Sequence, residues 1–186
     1  MAKPRAGAGR PMVRRRLPVT SRLRPLLWGC LISWIALIFV FSNQSYQTQS
    51  IKPALERKID SETAQRYLPP MSFHYNGEFY MSKFNPYDVM EFIFRKMAHL
   101  FVYGVLAASA WLLLRMYRVS AGLSAFIALS LTALIACLDE YNQQFSLSRT
   151  PNPEDVLIDL IGGCLGVVVL YIVSKVRRRS NPLSLE

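Results

Sequence analysis

Between Arg24 and Lys52 the chain carries no charged residue, and 26–41 is almost wholly apolar. Three similar stretches follow: 97–114, interrupted by His99; 119–138, uninterrupted; and 156–174, interrupted by Asp159. A helix needs about 20 largely apolar residues to cross the hydrocarbon of a bilayer. In lipid, only a helix or a closed barrel satisfies its own backbone polar groups. The pattern therefore predicts an all-α fold, an integral membrane four-helix bundle. Its spans fall at about 25–42, 94–115, 120–140 and 155–174, with a long outer loop at 43–90. The membrane domain as a whole covers 23–176.

Charge sets the expected orientation. Of 22 Lys and Arg residues, eight lie in 1–24, two are Arg115 and Arg118, and four are Lys175, Arg177, Arg178 and Arg179. These three basic segments flank apolar runs, and four spans put all three on one side. The positive-inside rule makes that side cytoplasmic, so both termini are expected there, in a cell membrane crossed four times. Residues 1–22 and 177–186 read as basic tails, the first disordered and drawn to anionic head groups. Nucleic acid is not an expected partner, because no soluble fold remains to carry a basic tail. A cleaved signal peptide is the other reading of the first span, but "VFSNQSYQ" offers no small-x-small cleavage site.

The outer segment is charge-balanced, with five bases and five acids between Lys52 and Asp88. Residues 54–68 have the spacing of a short surface helix. Residues 69–87 read as irregular loop, or as a hairpin around Asn76-Gly77. Cys30, Cys137 and Cys164 each sit in an apolar run without metal-type spacing, and read as small, buried apolar residues.

The remaining polar residues of the last three spans gather at their outer ends. Lys96, His99 and Tyr103 share a helix face. Asp139 and Glu140 close the third span, and Asp139 and Gln143 stand one turn apart if the helix continues that far. Asp155, Asp159, Gly162, Gly163 and Gly166 lie along one stripe of the fourth. Gly162-x-x-x-Gly166 is a small-xxx-small pattern that admits a close helix neighbour. Asp159 on the same stripe must face that neighbour, since an acid facing lipid costs about 2.5–3.5 kcal/mol at mid-membrane. A polar cluster bounded by the second, third and fourth helices follows, with Lys96, His99 and Arg149 as its cations. Taken singly, each residue also has an ordinary reading: a helix end, a snorkelling lysine, a first-turn acid or a loop charge.

Those residues carry a resemblance. "RKMAHLFVYGVL" (95–106) followed by "DEYNQQFSLSRTPNPEDVLIDLIGG" (139–163) resembles the VanZ-like family, and "FSNQS" (41–45) is similar to that family's Ser-x-Gln stretch. Lys96, His99, Tyr103, Asp139, Glu140, Gln143, Phe145, Arg149, Asp155, Asp159 and Gly162 fall on its motif positions in order. The chain departs from the pattern at Leu100, where Phe is common, and at Asp159, where Asn is common. Leu147-Ser148 also replaces a usual Pro-Gly. The resemblance spans roughly 26–174 and implies a bacterial cell-envelope protein associated with resistance to teicoplanin-type glycopeptides. It implies no reaction and no cofactor.

Three functions fit these residues. The first is a membrane protein that binds a lipid-linked or head-group ligand, such as a membrane lipid or an envelope precursor. Its pocket would be Lys96, His99, Tyr103, Asp139, Glu140, Gln143, Arg149, Asp155 and Asp159. The second is a membrane-embedded enzyme acting on an envelope lipid or peptidoglycan precursor. His99, Asp139, Glu140 and Asp155 would serve as acid–base groups or, under this reading alone, as oxygen-rich ligands of a divalent ion. No nucleophile, metal or phosphate-loop motif is present, and no metal is assigned. The third, a proton-coupled transporter, is disfavoured because the polar groups stop near one end. A homo-oligomer is compatible with all three.

Overall fold

The computed structural model of the chain describes residues 19–145 and 152–180. In chain order it contains α1 (Val19–Ser42), α2 (Tyr46–Gln49), α3 (Lys52–Lys58), α4 (Ser61–Tyr67), β1 (Ser72–Tyr75), β2 (Glu78–Met81), α5 (Pro86–Met116), α6 (Ala121–Gln143) and α7 (Pro153–Ser180). Four helices, α1, α5, α6 and α7, are long and apolar enough to cross a membrane. The all-α membrane bundle expected from the sequence is present, with one small hairpin added to it.

The bundle suits lipid, because many of its large apolar side chains point outward although others, such as Leu106 and Trp111, fill its core. Ile32, Val40, Phe101, Phe126, Leu134, Leu157 and Val169 are all more than half exposed. The interior instead holds Ala107, Ala110, Ser124, Ala128 and Thr132, all nearly inaccessible. Lipid tails are as apolar as leucine, so large side chains gain little by turning inward; small residues let helices approach and gain dispersion contacts. α5 and α7 show this most strongly. A Cβ placed on Gly162 would lie 2.8 Å from the Leu100 Cα, and one on Gly166 would lie 2.8 Å from the Gly104 carbonyl carbon.

Local chemistry sets the helix ends. Arg118 turns the chain with a left-handed φ of 62° after α5, and Ser120 then caps α6 by accepting from the Leu123 N–H at 3.4 Å. Pro153 opens α7, and the Asn152 side chain accepts from the Glu154 N–H at 3.1 Å. α1 is pinned along α5 by the Trp34 indole N–H, which donates to the Val102 carbonyl at 2.9 Å, and by Arg24, which donates to the Met116 carbonyl at 3.0 Å.

The second long helix begins at Pro86, well before residue 94 where the expected span starts. Pro86 suits a first helical position, and Asp88 follows in the first turn, where the helix dipole favours an acid. With 31 residues α5 is about 46 Å long, more than the hydrocarbon needs, so its first turns stand clear as a post.

The segment between α1 and α5 folds as a cap on that post. Residues 54–68 do not form the single helix expected. Asp60 breaks the run and caps α4, accepting from the Thr63 N–H at 2.9 Å. The Asn76-Gly77 hairpin is formed: Ser72 pairs with Met81 and Tyr75 with Glu78, and both turn residues have positive φ (50° and 79°). That backbone twist matches the strands, which is why Asn-Gly favours it. The hairpin sits on Phe92 of α5, whose ring lies 5.0–5.1 Å from those of Phe73, Tyr75 and Tyr80. Glu91, one residue earlier, is buried. It accepts from the Ser50 hydroxyl at 2.7 Å and the Lys52 N–H at 3.0 Å, which fastens the start of α3.

The three cysteines are free and exposed on helix surfaces, not buried. A thiol is small and weakly polar, so a lipid-facing position suits it as well as a core one.

Candidate functional site

The tight α5–α7 contact places the polar residues of one helix against those of the other. One turn from the Gly162–Leu100 approach, the Asp159 carboxylate meets His99 Nδ1 at 2.9 Å, with 3% of the Asp159 side chain exposed. A turn nearer the cap, Lys96 pairs with Asp155, and both side chains are less than one-sixth exposed. The spacing of 96/99 on α5 and 155/159 on α7 puts one basic nitrogen opposite each acid. Both carboxylates are therefore partnered where water is scarce and an unpaired charge is costly.

The hairpin completes the outer pair. The Tyr75 hydroxyl donates to the same Asp155 oxygen that Lys96 holds. The Lys96 ammonium lies 2.9 Å from that hydroxyl and 4.2 Å from the Tyr75 ring centroid. Burial, followed by the hydrogen bond to Asp155, pushes the Tyr75 phenol far above its ordinary range, so it remains a donor.

α6 supplies the third wall. The helix runs to Gln143, so Asp139 and Gln143 do share a face: the Gln143 amide donates to Asp139 Oδ2 at 3.1 Å, and both residues are buried. The Tyr103 hydroxyl comes close to the Asp139 carboxylate from α5. Neither that hydroxyl nor Asp139 Oδ1 completes a well-formed hydrogen bond among the described residues. Glu140 turns toward the start of α7 and accepts from the Asn152 N–H.

Two cavities meet over these groups. The first, about 450 Å³, lies under the cap and is polar, lined among others by Tyr46, Tyr75, Asn85, Glu91, Lys96 and Asp155. The second, about 370 Å³, is an apolar cleft between α1, α5 and α6, walled by Trp34, Leu37, Ile38, Phe41 and Val102. Gln49, Arg95, His99 and Gln143 line both and form the boundary between them. Arg95 is held there by Glu91 at 3.4 Å and by the Tyr46 ring, 4.2 Å from its guanidinium carbon.

Of the residues singled out from sequence, Lys96, His99, Tyr103, Asp139, Glu140, Gln143, Asp155 and Asp159 gather at one end of the bundle. Arg149 lies outside the described residues. Among the described residues no three His, Cys, Asp or Glu side chains converge as a metal-binding set. Sequence reasoning missed Tyr75, Arg95 and Glu91. Tyr75 is far away in the chain and belonged to a segment read mainly as loop. Glu91 lay outside the expected span and Arg95 at its edge, where it looked like an ordinary flanking charge; their i, i+4 spacing on an extended helix was the available signal.

A family model described as VanZ/LLP1 matches residues 27–174, which take in all four apolar helices and the cap. No curated protein and no solved structure matches the chain.

Proposed function

The chain belongs to the VanZ/LLP1 family, and from that premise we propose that it binds an amphipathic ligand of the bacterial cell envelope, a lipid-linked precursor or lipid head group, and so affects susceptibility to teicoplanin-type glycopeptides. One observation carries the reading. A polar cavity and an apolar cleft of similar size join at Arg95, His99, Gln49 and Gln143. A ligand with a polar head and a hydrocarbon chain is the class of molecule that fills both. The clustered bases near Arg24, at Arg115 and Arg118, and at Lys175 and Arg177 support, through the positive-inside rule, a cytoplasmic position for the opposite end. The capped end then faces outward, in the leaflet where envelope precursors are used.

The test is native mass spectrometry of the purified protein beside Ala98→Trp, a substitution that fills the apolar cleft from its α5 wall. The unmodified protein should carry an envelope amphiphile, Ala98→Trp should lose it while remaining monodisperse, and teicoplanin tolerance should fall in cells carrying the variant. A bare unmodified protein, or equal lipid occupancy in both, refutes the reading.

His99 favours a second reading. Asp159 holds Nδ1, which leaves Nε2 as the ring's other polar atom, and the residue lines both cavities. An imidazole oriented by a carboxylate is suited to proton transfer on a bound head group. Turnover of an envelope lipid or peptidoglycan precursor that disappears in His99→Gln would establish it. Unchanged substrate after prolonged incubation would rule it out.

A further inference from the structure

The apolar cleft ends on two buried polar residues, Tyr103 and Asp139, which are 2% and 4% exposed. The Tyr103 hydroxyl lies near the Asp139 carboxylate, but neither it nor Asp139 Oδ1 completes a well-formed hydrogen bond among the described residues. Three other acids of the site face a basic nitrogen. Lys96 meets Asp155, His99 meets Asp159, and Arg95 meets Glu91. Glu140 accepts a backbone N–H. Asp139 and Glu140 have no cation among the described residues, and of the two only Asp139, answered by the neutral Gln143 amide, lines the apolar cleft. A buried carboxylate without a cation is unfavourable in surroundings walled by Trp34, Leu37, Ile38 and Val102. Among the described residues Asp139 lacks a matching positive charge, at the end of a slot shaped for hydrocarbon.

We propose that the cleft takes an amphiphile headed by a protonated primary amine, whose charge answers Asp139 at the Tyr103–Asp139 end while its chain lies along the α1–α5 wall. This inference rests on the envelope-amphiphile reading and names the head group. An alcohol would supply a donor without the charge. A phosphate would set a second negative charge beside Asp139, while Arg95 and Lys96 already face Glu91 and Asp155.

The discriminating experiment compares dodecylamine, dodecanol and dodecyl phosphate, three probes with one chain and different heads. Their binding is measured by native mass spectrometry and thermal stabilisation of the full chain in phosphatidylcholine nanodiscs. Dodecylamine is expected to bind about tenfold more tightly than dodecanol, as a charge-assisted hydrogen bond would give, and dodecyl phosphate most weakly. Asp139→Asn should abolish the preference for the amine. Tyr103→Phe, which keeps the ring and the charge, should reduce it in part. Should Asp139→Asn fail to fold, the ranking on the unmodified protein still decides. Equal binding of the three heads, or preference for the phosphate, overturns the inference. Co-purification of an envelope lipid without amine selectivity would sink this proposal and leave the broader reading standing.

Discussion

Replacing Gly162 by alanine tests whether the glycine stripe holds the site together. On an isolated helix the change should help, by about 1 kcal/mol of propensity. In the bundle the new Cβ would lie 2.8 Å from the Leu100 Cα and 3.0 Å from its carbonyl carbon. Both are backbone atoms and cannot rotate aside. Restoring ordinary contact at about 3.5–4.0 Å requires α5 and α7 to separate by roughly 0.7–1 Å. Overpacking of that kind costs about 1–3 kcal/mol. The same separation carries Asp159 away from His99, stretching a 2.9 Å contact toward about 3.7 Å, beyond hydrogen-bond range. A charged hydrogen bond worth about 1.5–3 kcal/mol is then lost as well. The net expectation is a loss of about 1.5–5 kcal/mol after the propensity gain. Gly29 is the control, because a Cβ there meets nothing within 4 Å. Equilibrium unfolding in mixed micelles, followed by circular dichroism, should show Gly162→Ala clearly destabilised and Gly29→Ala unchanged or slightly stabilised. If the two alanine variants unfold alike, the close α5–α7 approach does not position His99 and Asp159, and the reasoning fails.

Two further predictions concern the capped end. Lys96→Met removes the cation from a nearly buried pair and leaves Asp155 with Tyr75 alone. A loss of about 3–5 kcal/mol is expected, with faster amide exchange in β1 and β2 than in the body of α6; protection of the hairpin equal to that of the unmodified protein would contradict it. Burial, aided by the neighbouring Glu91 carboxylate, raises the Tyr46 phenol from 10.0 to about 12. The folded state thus holds that proton more tightly than the unfolded chain does. The resulting stability is complete below pH about 10 and drains away as the pH rises toward 12. The difference in phenolate absorbance between the unmodified protein and Tyr46→Phe should titrate near pH 12; a midpoint near 10 would show that the Tyr46 hydroxyl is not held against Glu91.

Much of this architecture was legible in the chain itself, because its causes are local. Four charge-free runs demand four helices, since the membrane leaves the backbone no other partner. The Asn76-Gly77 turn was readable because its left-handed backbone suits few other residue pairs. The polar residues near the ends of three spans marked one end of the bundle as special, and the small-residue stripe beside Asp159 showed which way that acid must face. Pairing was different. That Lys96 takes Asp155 while His99 takes Asp159 depends on how far α5 slides along α7, which backbone contact at Gly162 and Gly166 sets. Tyr75 reaches the site from a hairpin about 80 residues from Asp155, and it does so only because Phe92 seats that hairpin on the post of α5. The meeting of a polar chamber with an apolar cleft is likewise a property of packed surfaces. Helical periodicity determines which residues share a face. Which face meets which, and what space is left between them, follows from interhelical distance, which tertiary packing alone decides.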